Sequence, residues 1–204
     1  MSLQPLRLLS AALAGALVMF AWSAFSHTAL IRGVGFTPLP NEAAIVAALG
    51  KSIRHEGLYF FPGIDWSQEP TAEQTRAWRE RFRTGNGLLI YHPSSDDPVP
   101  PRKLGLQFFC DLLAAAVAAH LAALLPIGYW KRVLAVGALG VFGCLGVSAL
   151  YWNWYGFGHA FFAAHCLDKI AGWLLAGTVI AKLAPRKARF GENTSTNAPV
   201  PAPG

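Results

Sequence analysis

The sequence predicts a mainly α membrane protein: four transmembrane helices, with a small α/β exoplasmic insert, periplasmic in a bacterium, between helices 1 and 2. Three observations predict it. Hydrophobic residues fill 53% of the 204 positions and charged residues only 14%, where soluble domains carry about 25% charged residues. Four apolar runs, 8–30, 104–125, 133–152 and 160–183, each reach the roughly 20 residues of helix that cross a bilayer. Lysine and arginine gather at the same ends of these runs. The chain therefore divides into a first membrane helix (1–31), an exoplasmic α/β insert (32–103), membrane helices two to four (104–184) and a tail too poor in apolar residues to fold (185–204).

Arg7 before an apolar stretch is also how a secretory signal begins, but this stretch outlasts a signal core and no clean small-x-small site precedes Arg32. It is read as an uncleaved span. In the insert, Asn41 can cap a helix that puts Ile45, Val46, Leu49 and Ile53 on one face. Gly57, a β-like LYFF and Pro62 follow. The pattern then recurs: Thr71 and Gln74 form a candidate capping box, a helix runs to Thr84, Gly85 stops it, and GLLIYHP reads as a second strand. Strand, crossover helix and strand make a βαβ unit behind a leading helix, resting on the membrane surface. The crossover helix carries Arg76, Arg79 and Arg83 around Trp78 and Phe82, a face for anionic lipid or an acidic partner. Arg76 and Arg83, three or four positions from Glu80, equally suit a solvated, ion-paired face. Residues 94–101 read as a hinge, with Asp96 and Asp97 in a turn.

Orientation follows from short connections, because lysine and arginine there resist translocation. Lys131 and Arg132 follow the second span; Lys182, Arg186, Lys187 and Arg189 follow the fourth. The connection NWYGFGH between spans three and four has neither residue. Both termini are thus expected in the cytoplasm of a bacterium, with the insert across the inner membrane. Trp152, Trp154, Tyr155 and Phe157 at one face, and Tyr129 and Trp130 at the other, read as interfacial belts.

The third span offers small residues at i,i+4, Gly140, Cys144 and Ser148, with Gly137, Gly143 and Gly146 nearby, for close helix packing. The fourth span holds His165, Asp168 and Lys169. Its eight strongly apolar residues supply roughly −2.4 to −4.8 kcal/mol of insertion energy, and an acid and a base near mid-depth oppose this by about 5 to 7 kcal/mol. Such a helix needs its charges turned toward protein, water or each other. Asp111 and Gln107 on the second span are the expected partners, forming with His165, Asp168 and Lys169 an intramembrane polar network. Spans two and four are diagonal neighbours in a simple up-down four-helix bundle, so a water or His165 would have to mediate.

The three cysteines, Cys110, Cys144 and Cys166, fall in separate apolar runs without CxxC spacing, and read as packing residues rather than a disulfide or zinc framework. The net charge of +6 sits at span ends and on one short helix, which points to topology and lipid rather than nucleic acid. No P-loop, GxGxxG, GxSxG or HExxH occurs. The expectation is a non-enzymatic subunit or accessory factor without cofactor or bound metal, its partners the lipid bilayer and either another membrane protein or further copies of itself. The alternative is a histidine-dependent redox protein (haem or copper) or a proton- or ion-coupled one, drawing on the six histidines and the buried carboxylates.

Overall fold

A computed structural model describes residues 4–65, 67–93 and 99–186. The turn at Asp96 and Asp97, most of the expected hinge, the basic residues Lys187 and Arg189, and the tail lie outside the described residues. The chain is mainly helical. Helix α1 (Gln4–Phe25) continues through a π-helical turn (Ser26–Leu30), and α2 (Glu42–Ser52), β1 (Gly57–Phe61), α3 (Ala72–Thr84) and β2 (Gly87–Tyr91) form the insert. Helix α4 (Pro101–Leu124) opens on a proline whose missing N–H costs nothing there. Helix α5 (Tyr129–Gly143) passes through a second π-helical turn (Cys144–Ser148) into α6 (Ala149–Tyr155), which ends at Gly156 with φ 73°. Helix α7 (His159–Leu183) completes the described chain.

Three helical stretches are long and apolar enough to cross a membrane: Gln4–Leu30, Pro101–Leu124 and Tyr129–Tyr155. Helix α7 matches them in length, but His165, Asp168 and Lys169 in its middle keep it from joining them on composition. Packing makes the same point as hydropathy. The buried cluster is nearly all alanine, including Ala11, Ala12 and Ala16 on α1 facing Ala115, Ala118 and Ala119 on α4. Leu6, Leu9, Leu13 and Leu17 on α1, and Phe109, Leu113, Val117 and Leu121 on α4, point outward. Small residues inside and large apolar residues outside suit lipid, which rewards close backbone approach and does not penalise apolar surface.

Helix α7 is central. It packs against α5, α1 and α4, while α1 packs against α4. The expected diagonal between the second and fourth apolar runs is therefore a real contact, because α7 leans inward over small residues. At Gly140 an added Cβ would lie 2.8 Å from the Lys169 carbonyl and 2.9 Å from the Ile170 Cα, so only glycine lets the α5 and α7 backbones meet there.

The insert differs from the expected βαβ unit. Strands β1 and β2 pair antiparallel, from Gly57 with Tyr91 to Phe61 with Gly87. The residues just after β1 are held along α3: the Trp78 indole donates to the Pro62 carbonyl at 2.9 Å and Arg81 to that of Gly63 at 3.3 Å. The long connection after β1 makes the return leg, and α3 delivers the chain to the wrong end for a parallel partner. The Thr71–Gln74 capping box forms with both its bonds. Asn41 precedes α2 at φ 50° but its side chain caps nothing. No described residue from Ile31 through Cys110 is buried.

Candidate functional site

Ring and glycine contacts fix the register of the helices. Gly15 of α1 faces Ile180 and Ala115, Met19 and Trp22 face Gly172, and His27 faces His165. Gly35, beyond α1, sits at φ 81° against the Phe161 backbone, so the chain leaving α1 crosses the start of α7. Helix α1 thus runs antiparallel to α7, and the polar residues of α7 lie toward the end nearest the insert.

Several polar groups converge there, though not as one closed network. Gln107 donates to Asp111 Oδ1 at 2.9 Å, and Asp111 is 9% exposed with Oδ2 buried and without a partner. Lys169 lies in electrostatic range of Asp111 but forms no ion pair with it. Asp168 turns toward α1: its carbonyl accepts from the Trp22 indole at 3.0 Å, while its side-chain Oδ1 is buried and unpartnered. Adjacent positions on a helix point about 100° apart, and Lys169 accordingly leaves on the α5 side, exposed. The expected five-residue network therefore splits into a Gln107–Asp111 pair, a sheltered Asp168 and an outward Lys169.

His165 is half-buried between rings, with Phe161 at 4.1 Å and His27 at 5.8 Å between centroids. The π-helical turn places His27 so that Nδ1 meets the Ser23 carbonyl at 3.0 Å. A carbonyl only accepts, so Nδ1 is the donor in this contact. His165 and Lys169 share an open cleft of about 340 Å³ between α7 and the second π-helical turn with α6. Ser148 and Val147 line it from the π-helical turn, and Tyr151, Phe157, Phe161 and Phe162 complete the lining.

The cysteine reading is corrected. Cys144 and Cys166 are joined in a disulfide with their Cα atoms 5.3 Å apart, and Cys110 is free and exposed. Nothing in the sequence marks the pair, because the residues are separated by 22 positions and meet only through the glycine-lined contact of α5 with α7. Of the small residues expected to pack, Gly140 makes the closest approach, Cys144 carries the disulfide and Ser148 lines the cleft.

At the opposite end lies a site the sequence reading missed. Arg132 is fully buried and donates to the Ala122 carbonyl at 2.9 Å, Ala181 at 2.9 Å, Ala184 at 3.2 Å and Pro185 at 3.4 Å. These carbonyls belong to the C-terminal turns of α4 and α7 or lie just beyond, where helices leave acceptors unfilled and carry partial negative charge. Arg132 ties three helices together.

On α3, Arg76, Arg79 and Arg83 are exposed, and neither Arg76 nor Arg83 pairs with Glu80. The one ion pair among the described residues joins His92 to Glu56 at 3.1 Å, outside the helical unit. Among the described residues no three His, Cys, Asp or Glu side chains gather as a metal site. No family model matches the chain, and neither a curated protein nor a solved structure is similar to it.

Proposed function

We propose that the chain is a multi-pass protein of a bacterial inner membrane, a non-enzymatic subunit or accessory factor whose periplasmic insert meets a partner. One observation carries this reading: between Ile31 and Cys110 no described residue is buried, while Leu58 and Ile90, paired across the two strands, are 64% and 63% exposed. A segment of that size gains its stability from burial it does not achieve alone. Arg76, Arg79 and Arg83 on α3 are exposed and make no ion pair among the described residues, which fits an acidic surface on the partner. Helix α7 counts as the fourth span because α1, α4 and α5 surround it and shelter Asp168. Lys131, Lys182 and Arg186 at the end away from the insert favour cytoplasmic termini, and a disulfide nearer the insert suits an oxidising compartment.

A photo-crosslinking residue at Leu58 or Ile90, activated in native membranes, is expected to give a discrete adduct, weakened when Arg79 and Arg83 are replaced by glutamate. No adduct from either position would defeat the proposal. A second, proton-coupled reading draws on the facing rings of His27 and His165 beside the unpartnered Asp168 carboxylate. It requires proton movement across vesicles containing the protein, lost in Asp168→Asn.

A further inference from the structure

We propose that a second copy of this chain docks on the outward face of α4, the two copies lying parallel about a two-fold axis. Leu106, Cys110, Leu113, Val117, His120 and Leu124 are all exposed. They follow one another at alternating steps of four and three, which keeps them within about 40° of one line along the helix. Lipid accounts for the apolar members, as it does for Leu6, Leu9, Leu13 and Leu17 on α1. It does not account for His120. The imidazole makes no hydrogen bond or ion pair among the described residues, and residues 121–127 after it carry no polar side chain. The ring thus lies short of the Tyr129 and Trp130 belt, among hydrocarbon, where an unmet donor and acceptor are costly. By contrast, Ser10 on the lipid side of α1 donates to the Leu6 carbonyl of its own helix at 2.8 Å.

The stripe is its own complement. Copies inserted the same way round meet along α4 only in parallel, and in a parallel heptad pair each inward residue faces its own counterpart across the axis. A neutral imidazole carries one donor and one acceptor, so one His120 donates to the other, whereas a lysine or aspartate at that place would repel its mate. No charged side chain lies on the stripe: Asp111, the one Asp, Glu, Lys or Arg in 104–124, is buried away from it. A charged partner therefore has nothing to hold. Arg102 and Lys103 come earlier, in the first turn of α4, at the membrane surface on this topology, where water and salt screen their repulsion. Leu106 and Leu113 share one register of the heptad and Val117 takes the other, the combination that favours two strands over more. Between helices already bathed in lipid the gain comes from close packing and the polar pair.

The free cysteine on the stripe makes the test direct, since Cys144 and Cys166 are already joined to each other. In native membranes holding the full chain, molecular iodine, which dissolves in lipid, is expected to link Cys110 of two copies into a dimer that reductant separates. With Cys110→Ser, a cysteine moved to Leu113 or Val117 should link as well, and Leu9→Cys, equally outward on α1, should not. Energy transfer between donor- and acceptor-labelled copies in vesicles gives the affinity. His120→Leu should weaken pairing about threefold to thirtyfold, the worth of one hydrogen bond between membrane helices, and His120→Asn, which keeps a donor and an acceptor, should stay near the parent. The pairing is overturned by a Cys110 that gives no dimer, by Leu9→Cys linking as readily, by transfer indifferent to His120→Leu, or by Cys110 linking to a different protein instead. The proposal rests on α4 being a span. A charged maleimide that labels Leu113→Cys would defeat that reading, whereas missing dimers with Leu113→Cys unlabelled would defeat the pairing alone and leave adducts from the insert untouched.

Discussion

At the scale of single residues, the two basic side chains that a sequence reader would pair with lipid or acid behave in opposite ways. Arg132 reads as a cytoplasmic marker and, whichever side it lies on, is a fully buried clamp on four carbonyls. Arg132→Ala is expected to cost about 3–5 kcal/mol, the penalty for breaking a buried charged interaction, seen as a lowered unfolding midpoint in detergent. Arg132→Lys should recover less than half of that, since an ammonium cannot fork across acceptors on two helices. Full recovery would mean that charge alone, not the fork, holds the helices. Lys169 reads as one pole of a buried ion pair and is exposed in an open cleft. Lys169→Ala should therefore not destabilise the fold, since it removes an ammonium without an ion-pair partner among the described residues from the middle of α7, and a loss of several kcal/mol in the same assay would restore the closed network. The difference was illegible because residue type and spacing give depth along a helix, whereas partnership depends on rotation about its axis. That rotation is set by Gly140, Gly172 and Gly177, each pressed against a neighbouring helix.

At the scale of elements, local signals were readable and pairing was not. The Thr71–Gln74 box, the stop at Gly85 and both strands follow from residues within a few positions of each other, and the helices begin and end within a few residues of the apolar runs. The antiparallel pairing of β1 with β2 is accompanied by bonds from Trp78 and Arg81 to the carbonyls of Pro62 and Gly63, contacts over 16 and 18 positions, which no periodicity encodes. The small-residue run on α5 is a middle case. Its glycines look alike in sequence, yet a Cβ at Gly140 would strike the α7 backbone, whereas at Gly143 nothing lies within 4 Å. Gly140→Leu is thus expected to lose on the order of 2–4 kcal/mol, since backbone cannot move aside as a side chain can. Gly143→Ala should be neutral or gain up to about 1 kcal/mol from helix propensity. Equal effects in a denaturation series would mean the α5–α7 contact is not what this stripe serves.

At the scale of the whole molecule, the arrangement of sizes carries the argument further than any single site. Alanine and glycine fill the interior and leucine, phenylalanine and valine cover the outside of α1 and α4, an inversion that water would punish across a large continuous patch. On the proposed topology exposure has two meanings in this chain, contact with lipid along the helices and contact with water in the insert and at the helix ends. The two can be told apart chemically, because a thiolate forms in water and not in hydrocarbon, so a charged maleimide reacts only with the first kind. In a Cys110→Ser background, Arg79→Cys should label in intact cells, Lys182→Cys only once the membrane is opened, and Leu113→Cys, 54% exposed on α4, in neither state. Labelling of Leu113→Cys as fast as Arg79→Cys would place that face in water and remove the basis for reading α4 as a span. Reversed access of Arg79→Cys and Lys182→Cys would leave the spans intact but turn the molecule over, and with it the compartment in which the Cys144–Cys166 bond must form.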